Sequence, residues 1–346
     1  MSTTWIIVAL LLGFLVVFQI AKASEYVAIL RGEEKARKET NRINAFMLLI
    51  FLVVGLFGVW YCNERLKDTI LPASASDHGE SIDTMMWITL GITGIVFIIT
   101  QILLFWFAFK YQEKEDRKAY YFPHDNKLEV IWTVIPAIVL TVLVGFGLYY
   151  WFQITGEAPK DAQVIEVTGS QFKWEFRYPG KDGKLGRKYF KEIKETAGNP
   201  LGQIWSDPDN RDDVVVTQEV HMVVGKPVKF VINAKDVIHD VGLSHFRMKM
   251  DAVPGTPTTM WFTPKFTTRQ MKEKHGEDFN FEISCDQMCG PGHYTMRGVI
   301  VVESQAEFRA WLAQKPSQYE LAHESAKPAT PPKTDTTTAK TVALIK

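Results

Sequence analysis

The stretch FKWEFRY, residues 172–178, sets Phe172, Trp174, Phe176 and Tyr178 against Lys173, Glu175 and Arg177. A period of two puts the aromatic set on one side of an extended chain and the charged set on the other, the pattern of a half-buried strand. Working outward, VIEVTG, DVVVTQEVHMVV, PVKFVINA, TTMWFT, FNFEIS and RGVIVVES are further short runs rich in β-branched and aromatic residues. Each is bounded by Gly, Pro, Asp or Asn, as strands are. Strands this short and this numerous predict a β-sandwich or Greek-key barrel. Between Gly180 and Asp213 lies a polar, turn-rich insert without periodicity, which reads as a surface excursion. From Pro316 onward Pro, Thr, Ala and Lys dominate, a composition that cannot bury a core and predicts a disordered tail over 316–346.

The first half of the chain is of another kind. Four apolar stretches, Trp5–Ala21, Ile43–Cys62, Thr84–Phe109 and Val130–Phe152, contain no charged side chain. Each is near the roughly 20 residues a helix needs to cross a bilayer. Trp60, Tyr61, Trp106, Tyr149, Tyr150 and Trp151 crowd their ends, as interfacial aromatic belts do. The sequence therefore predicts an α+β membrane protein, with four N-terminal transmembrane helices followed by the β-domain. Balanced charge, 39 basic against 39 acidic side chains, gives nucleic acid no electrostatic footprint.

Loop charge sets the orientation. Arg31, Lys35, Arg37, Lys38 and Arg42 follow the first stretch, and Lys110, Lys114, Arg117, Lys118 and Lys127 precede the fourth, so both loops are expected in the cytoplasm. The loop 63–83, richer in acid, suits the outer side, and everything after Phe152 then lies in the periplasm. A cleaved signal peptide ending near AKA competes for the first stretch, but it lacks a basic leader and would export residues 24–42.

The chemistry is concentrated in FEISCDQMCGPGHYTM, residues 281–296, and KDVIHD, residues 235–240. Cys285 and Cys289 in an oxidising compartment would by themselves suggest a disulfide. However, His293 and Met296 follow on a loop that Gly290, Pro291 and Gly292 can turn sharply, and His239 arrives from the KDVIHD turn. Two Cys and two His would satisfy a structural zinc, whereas thiolate, imidazole and thioether together suit copper. Two thiolates can bridge two copper ions, each taking one imidazole, with the thioether and a backbone carbonyl as weak outer ligands. Such a pair carries single electrons.

Taken together, KDVIHD, CDQMCGPGHYTM and HDNKLEVIWTVIPAIVL (residues 124–140) resemble subunit II of the haem-copper cytochrome c oxidases over residues 84–315. The resemblance implies a cupredoxin-like domain holding a dinuclear copper A centre, with His239, Cys285, Cys289, His293 and Met296 as ligands and the carbonyl of Gln287 completing the set. It implies electron acceptance from a c-type cytochrome, alone or in a supercomplex. Electrons then pass to haem in subunit I of a bacterial inner-membrane oxidase, where O2 reduction and proton pumping would occur. It divides the chain into an unexplained extension over 1–83, a transmembrane hairpin over 84–155, a periplasmic copper domain over 156–315 and the tail.

The match has departures. Gln287 stands where the family usually has a glutamate, removing the carboxylate that a magnesium ion shared with subunit I would use. Phe172 occupies the position of an electron-entry tryptophan, while Trp174 matches the family's aromatic stretch. Glu129 matches a glutamate at the mouth of a proton path, although an acid in a first helical turn also compensates the helix dipole. Asp251 matches an acidic residue near the haem propionates, and His245 matches no ligand and reads as a surface or packing residue. No C-x-x-C-H occurs, so the donor haem belongs to another polypeptide. A zinc-stabilised scaffold, a copper chaperone and a quinol-oxidase subunit are the competing classes; the last lacks the copper ligands.

Overall fold

A computed structural model of the chain describes residues 3–114 and 116–324. Four helices come first: α1 (Thr3–Arg31), α2 (Glu33–Ile70), α3 (Asp77–Lys110) and α4 (Asn126–Thr155). Among the described residues, α2, α3 and α4 are long and apolar enough to cross a membrane. Helix α1 covers the first apolar stretch, but the side chains of residues 3–7, 9 and 10 lie outside the described residues, so three spans are established where the sequence predicts four. At 38 residues α2 is about 57 Å long, well beyond the roughly 30 Å of hydrocarbon, so its charged first turns and its last turns project past the lipid. Helix α4 tolerates an interior proline, Pro136, and starts where the Asp125 carboxylate accepts the N–H groups of Lys127 and Leu128 at 3.0 and 3.1 Å.

The remainder is built on ten strands: β1 (Gln163–Ser170), β2 (Lys173–Tyr178), β3 (Val214–Thr217), β4 (Glu219–Val223), β5 (Val228–Ala234), β6 (His239–Leu243), β7 (Met248–Ala252), β8 (Thr258–Phe262), β9 (Phe281–Cys285) and β10 (Arg297–Glu303). Helix α5 (Thr268–His275) falls between β8 and β9, and α6 (Gln305–Ala313) and α7 (Gln318–Glu324) follow β10. One sheet has the order β3-β2-β1-β5-β8 and the other β4-β10-β9-β6-β7. The β1–β5 and β10–β4 pairs are parallel and the rest antiparallel, the mixture produced when a chain crosses repeatedly between the two sheets of a sandwich. Ile165, Trp174, Phe176, Phe230, Leu243, Phe262, Phe281 and Ile283 fill the space between the sheets, all fully buried.

Strand β2 departs from expectation. Two of the three residues on its charged face are buried like its aromatic ones, Glu175 and Arg177 each being 2% exposed, while Lys173 is half-buried. The 180–213 insert is the reason: it folds over that face instead of leaving the surface. Arg177 pairs with Glu166 at 3.0 Å and with Asp213 at 3.5 Å, and donates to the Gly186 carbonyl at 2.5 Å. Lys188 pairs with Glu166 at 2.5 Å and Lys235 with Glu175 at 2.6 Å, so each buried carboxylate meets a cation, the condition for keeping charge inside a protein. Leu201, Gln203 and Asn210 of the insert are themselves buried.

Two further segments join this unit. Ala73–Asp83, predicted as an outer loop, packs with the chain that follows Phe146. The Ala75 N–H donates to the His245 carbonyl at 2.8 Å, Lys265 N–H to the Ala75 carbonyl at 2.9 Å, and Arg247 grips Asp83 at 2.6 Å. The start of the predicted tail, through Glu324, is instead folded onto this unit. Helix α7 docks through the Gln318 N–H to the Asp213 carbonyl at 2.8 Å and the Gln318 side chain to the Gly198 carbonyl at 2.7 Å. Residues 325–346 of that expected tail lie outside the described residues.

Candidate metal centre

The sulfur, nitrogen and oxygen donors singled out in the sequence converge at one end of the sandwich. His239 opens β6, Cys285 closes β9, and Met296 immediately precedes β10. Register fixes two of them: Val241 on β6 pairs with Cys285 on β9, and the Cys285 N–H donates to the Met296 carbonyl at 3.1 Å. The intervening loop closes on itself through the His293 N–H to the Gly290 carbonyl at 3.1 Å and the Thr295 N–H to the Gly292 carbonyl at 3.0 Å. Gly290 has φ 137°, a conformation that side chains rarely adopt. A Cβ at Gly292 would lie 2.4 Å from the Phe172 ring, so this loop can seat against Phe172 only with glycine there.

The donors form a connected set. Cys285 Sγ lies 3.8 Å from His239 Nδ1 and 3.2 Å from the Gln287 carbonyl oxygen. Cys289 Sγ lies 3.7 Å from His293 Nδ1 and 3.9 Å from Met296 Sδ. The two sulfurs stand 3.8 Å apart, far beyond the roughly 2.05 Å of a disulfide, so the pair is free thiol. Ligands each about 2.0–2.3 Å from a shared ion stand about 3.3–3.8 Å apart, and the two sulfur–imidazole separations and the sulfur–sulfur separation, 3.7–3.8 Å, fall in that range. The set therefore fits metal, and it has two halves: one imidazole and one weak donor flank each sulfur.

Burial and hydrogen bonding hold it in place. His239 and Met296 are fully buried, and Cys285 and Cys289 are 6% and 4% exposed. Burial, with the neighbouring Cys285 thiol, pushes the Cys289 thiol up to about 11, so an incoming metal must displace protons to bind sulfur. His239 Nε2 meets the Asp236 carboxylate at 2.8 Å, which places the proton on Nε2 and leaves Nδ1 as the donor facing sulfur. Asp236 is anchored in turn by the Gln171 N–H at 2.8 Å and the Val237 N–H at 2.7 Å. Burial alone would raise its pKa, but these N–H groups and the His239 ring hold it low. Gln171 also donates from its side chain to the Cys289 carbonyl at 2.5 Å, tying both halves of the site to one residue. Neither Asp236 nor Gln171 was singled out from the sequence, although Asp236 lies within KDVIHD three positions before the ligand.

The remaining expected residues are placed as follows. Phe172 is half-buried against Gly290 and Gly292. Trp174 is fully buried, its ring 6.0 Å from that of His239, so it backs the site from within the core. Gln287 is exposed and contributes a carbonyl, not a carboxylate. Asp251 is exposed and stands opposite Asp240 in the β6–β7 register. Burial, opposed by Lys249 and reinforced by Asp251, pushes Asp240 up to about 6. His245 is a packing residue between the Phe279 and Phe281 rings, at 5.2 and 5.4 Å. Glu129 belongs to the helical unit, in the first turn of α4.

Comparison with known proteins identifies the family. Family models match residues 63–149, as the transmembrane domain of cytochrome c oxidase subunit II, and residues 163–305, as its periplasmic domain. An alternative cytochrome c oxidase subunit 2 of Bradyrhizobium diazoefficiens is 37% identical over 235 residues, covering 68% of this chain and 80% of that one. Cytochrome c oxidase subunit 2 of Cereibacter sphaeroides is 29% identical over 267 residues, covering 75% and 83%. Among solved structures, the periplasmic domain of subunit II of the cytochrome oxidase of Bradyrhizobium japonicum aligns with 49% of this chain and 98% of its own, at 25% identity and a TM-score of 0.31. The chain belongs to the cytochrome c oxidase subunit II family, as a membrane subunit of an oxidoreductase complex with a periplasmic β-domain and added N-terminal helices.

Proposed function

We propose that the chain is the electron-entry subunit of a respiratory cytochrome c oxidase and that it holds two copper ions through His239, Cys285, Cys289, His293, Met296 and the Gln287 carbonyl. When bound, the copper pair supplies a one-electron relay between a c-type cytochrome and haem in subunit I. The observation that carries this reading is the doubling of the donor set: each of two sulfurs 3.8 Å apart has its own imidazole, at 3.8 and 3.7 Å. A single tetrahedral zinc leaves the thioether and the Gln287 carbonyl without a role. A copper chaperone leaves His293 and Met296 without one.

The protein's own part is to hold these donors still and dry. Asp236 and Gln171 fix the ring and the loop, and Trp174 and the sheet core close the inner side. A relay benefits from such rigidity, because little has to rearrange as charge arrives and leaves. Phe172, at the position of the family's electron-entry tryptophan, sits against Gly290 and Gly292 of the ligand loop, and this face is our proposed docking site for the donor cytochrome. O2 reduction and proton pumping belong to subunit I, with Glu129 at the cytoplasmic mouth of a proton path. Magnesium binding through the Gln287 side chain is not part of the proposal, since an amide replaces the carboxylate.

Four spans complete the arrangement, α1 included, with both termini and the β-domain on the periplasmic side of a bacterial inner membrane. Loop charge supports it: basic residues concentrate in 22–42 and 110–127. The test is to load the full chain in mild detergent with copper and mix it with a reduced c-type cytochrome. A purple protein with a near-infrared band, bleached as the cytochrome is oxidised, supports the reading. A colourless protein that takes up one zinc per chain overturns it.

A further inference from the structure

The end of α2 that carries Arg42 and the end of α3 that carries Lys110 enclose a cavity of about 540 Å3, lined among others by Lys38, Arg42, Phe46, Phe109, Gln112 and Lys114. It lies wholly within the helical unit. Its wall and its floor differ in chemistry. On the floor, Phe46, one turn inside the apolar stretch of α2, and Phe109, at the end of that of α3, meet edge to face with ring centroids 5.1 Å apart. Above them, at the level where the apolar stretches end, stand Arg42, whose guanidinium lies 6.0 Å from the Phe46 ring, and Lys114.

Two acids, Glu113 and Asp116, also line the cavity, against three cations, Lys38, Arg42 and Lys114. Glu113 is engaged by Arg37 at 3.5 Å and by the Asn41 amide at 3.4 Å, and Lys38 pairs with Glu34 at 3.7 Å. Among the described residues no ion pair joins Arg42 or Lys114 to a carboxylate. Cations over an aromatic floor, at the boundary of lipid, match one class of molecule: a phosphate on a glycerol backbone whose acyl chains continue into the hydrocarbon. A soluble anion would use the cations and leave the rings wetted.

We propose that this cavity is a binding site for the headgroup of an anionic phospholipid, with Arg42 and Lys114 on the phosphate and Phe46 and Phe109 under the glycerol. It would give the added helix α2 a role of its own, securing one leaflet lipid against α3. The proposal rests on the membrane-spanning reading of α2 and α3, and the two can fail separately.

The full chain is reconstituted into nanodiscs of equal phosphatidylglycerol and phosphatidylcholine, extracted gently, and its retained lipid counted by native mass spectrometry. Each cation near an anionic lipid contributes about fivefold to binding. Preference for phosphatidylglycerol in the wild type should fall about fivefold in R42Q or K114Q and roughly twenty-fivefold in the double variant. R42K/K114R and R65Q, the latter at the other end of α2, should retain it. Equal retention of the two lipids by the wild type, or an undiminished preference in the double variant, overturns the proposal. Displacement of the lipid by excess inorganic phosphate overturns it in favour of a soluble-anion site. Failure of the chain to enter nanodiscs at all refutes the membrane reading instead.

Discussion

Replacing Asp236 with asparagine separates orientation of the metal site from ligation, because Asp236 touches no metal donor except through His239. In the native arrangement one carboxylate oxygen accepts from His239 Nε2 at 2.8 Å and from the Val237 N–H at 2.7 Å, while the other accepts from the Gln171 N–H at 2.8 Å. Asparagine keeps the shape but has only one acceptor. If its oxygen faces His239, its NH2 opposes the Gln171 N–H; if it is turned round, its NH2 opposes His239 Nε2–H. In the first case the Gln171 N–H loses its acceptor, in the second both the His239 Nε2–H and the Val237 N–H do, and in either the charge that favours the Nε2–H tautomer is gone. Loss of such a partner typically weakens a metal site 10- to 100-fold, about 1.4–2.8 kcal/mol. The assay is copper competition against a chelator of known affinity, run on the wild-type and D236N full chains in detergent, with the visible spectrum recorded at each step. D236N should yield copper at about 10- to 100-fold lower chelator strength while keeping the same bands when saturated. Superimposable competition curves would refute the role given to Asp236.

Other consequences follow from the same contacts. Gly292→Ala would drive a methyl to 2.4 Å from the Phe172 ring, costing about 1–3 kcal/mol and weakening copper retention; Phe172→Ala in the same chain should restore most of both, and no recovery would refute the steric account. Ser76→Ala removes a hydroxyl that donates to the Phe246 carbonyl at 2.5 Å and accepts from the Gly79 N–H at 3.1 Å, so the midpoint of denaturant unfolding should fall by the equivalent of about 1–3 kcal/mol; an unchanged midpoint would show that the 73–83 segment does not brace the β-domain. Burial, against the pull of Arg177, pushes the Asp213 carboxyl up to about 7. The folded chain then keeps a proton that the unfolded chain releases near pH 4, so stability should decline as pH rises from about 4 to 7 and level off above. Asp213→Asn should lack that slope in thermal unfolding, and a wild-type advantage that grows across the window would contradict it.

How much of this was legible in the sequence depended on the range of the interactions. Strand periodicity and the ligand spacing are local, so β2 and the Cys285–Met296 loop could be read directly. The burial of Glu175 and Arg177 could not be read, because their partners Lys235 and Asp213 are distant in sequence and a charged alternate face ordinarily means solvent. Segment 73–83 is polar and reads as a loop; what fixes it to the β-domain is largely backbone hydrogen bonding, which carries no residue signature. Helix α7 has only seven residues, too few for a periodic pattern, and is held by Gln318 and by the Trp205–Tyr319 ring pair at 5.7 Å. Asp236 was visible as a letter in KDVIHD, but its role emerged only once the turn brought its carboxylate to His239 Nε2.

The central claim is tested most directly by paramagnetic resonance of the oxidised, freshly isolated full chain together with its copper content. The account predicts two copper ions per chain sharing one unpaired electron, with hyperfine splitting from both nuclei and no zinc. One copper per chain, splitting from a single nucleus, or a disulfide between Cys285 and Cys289 in the native material would contradict it.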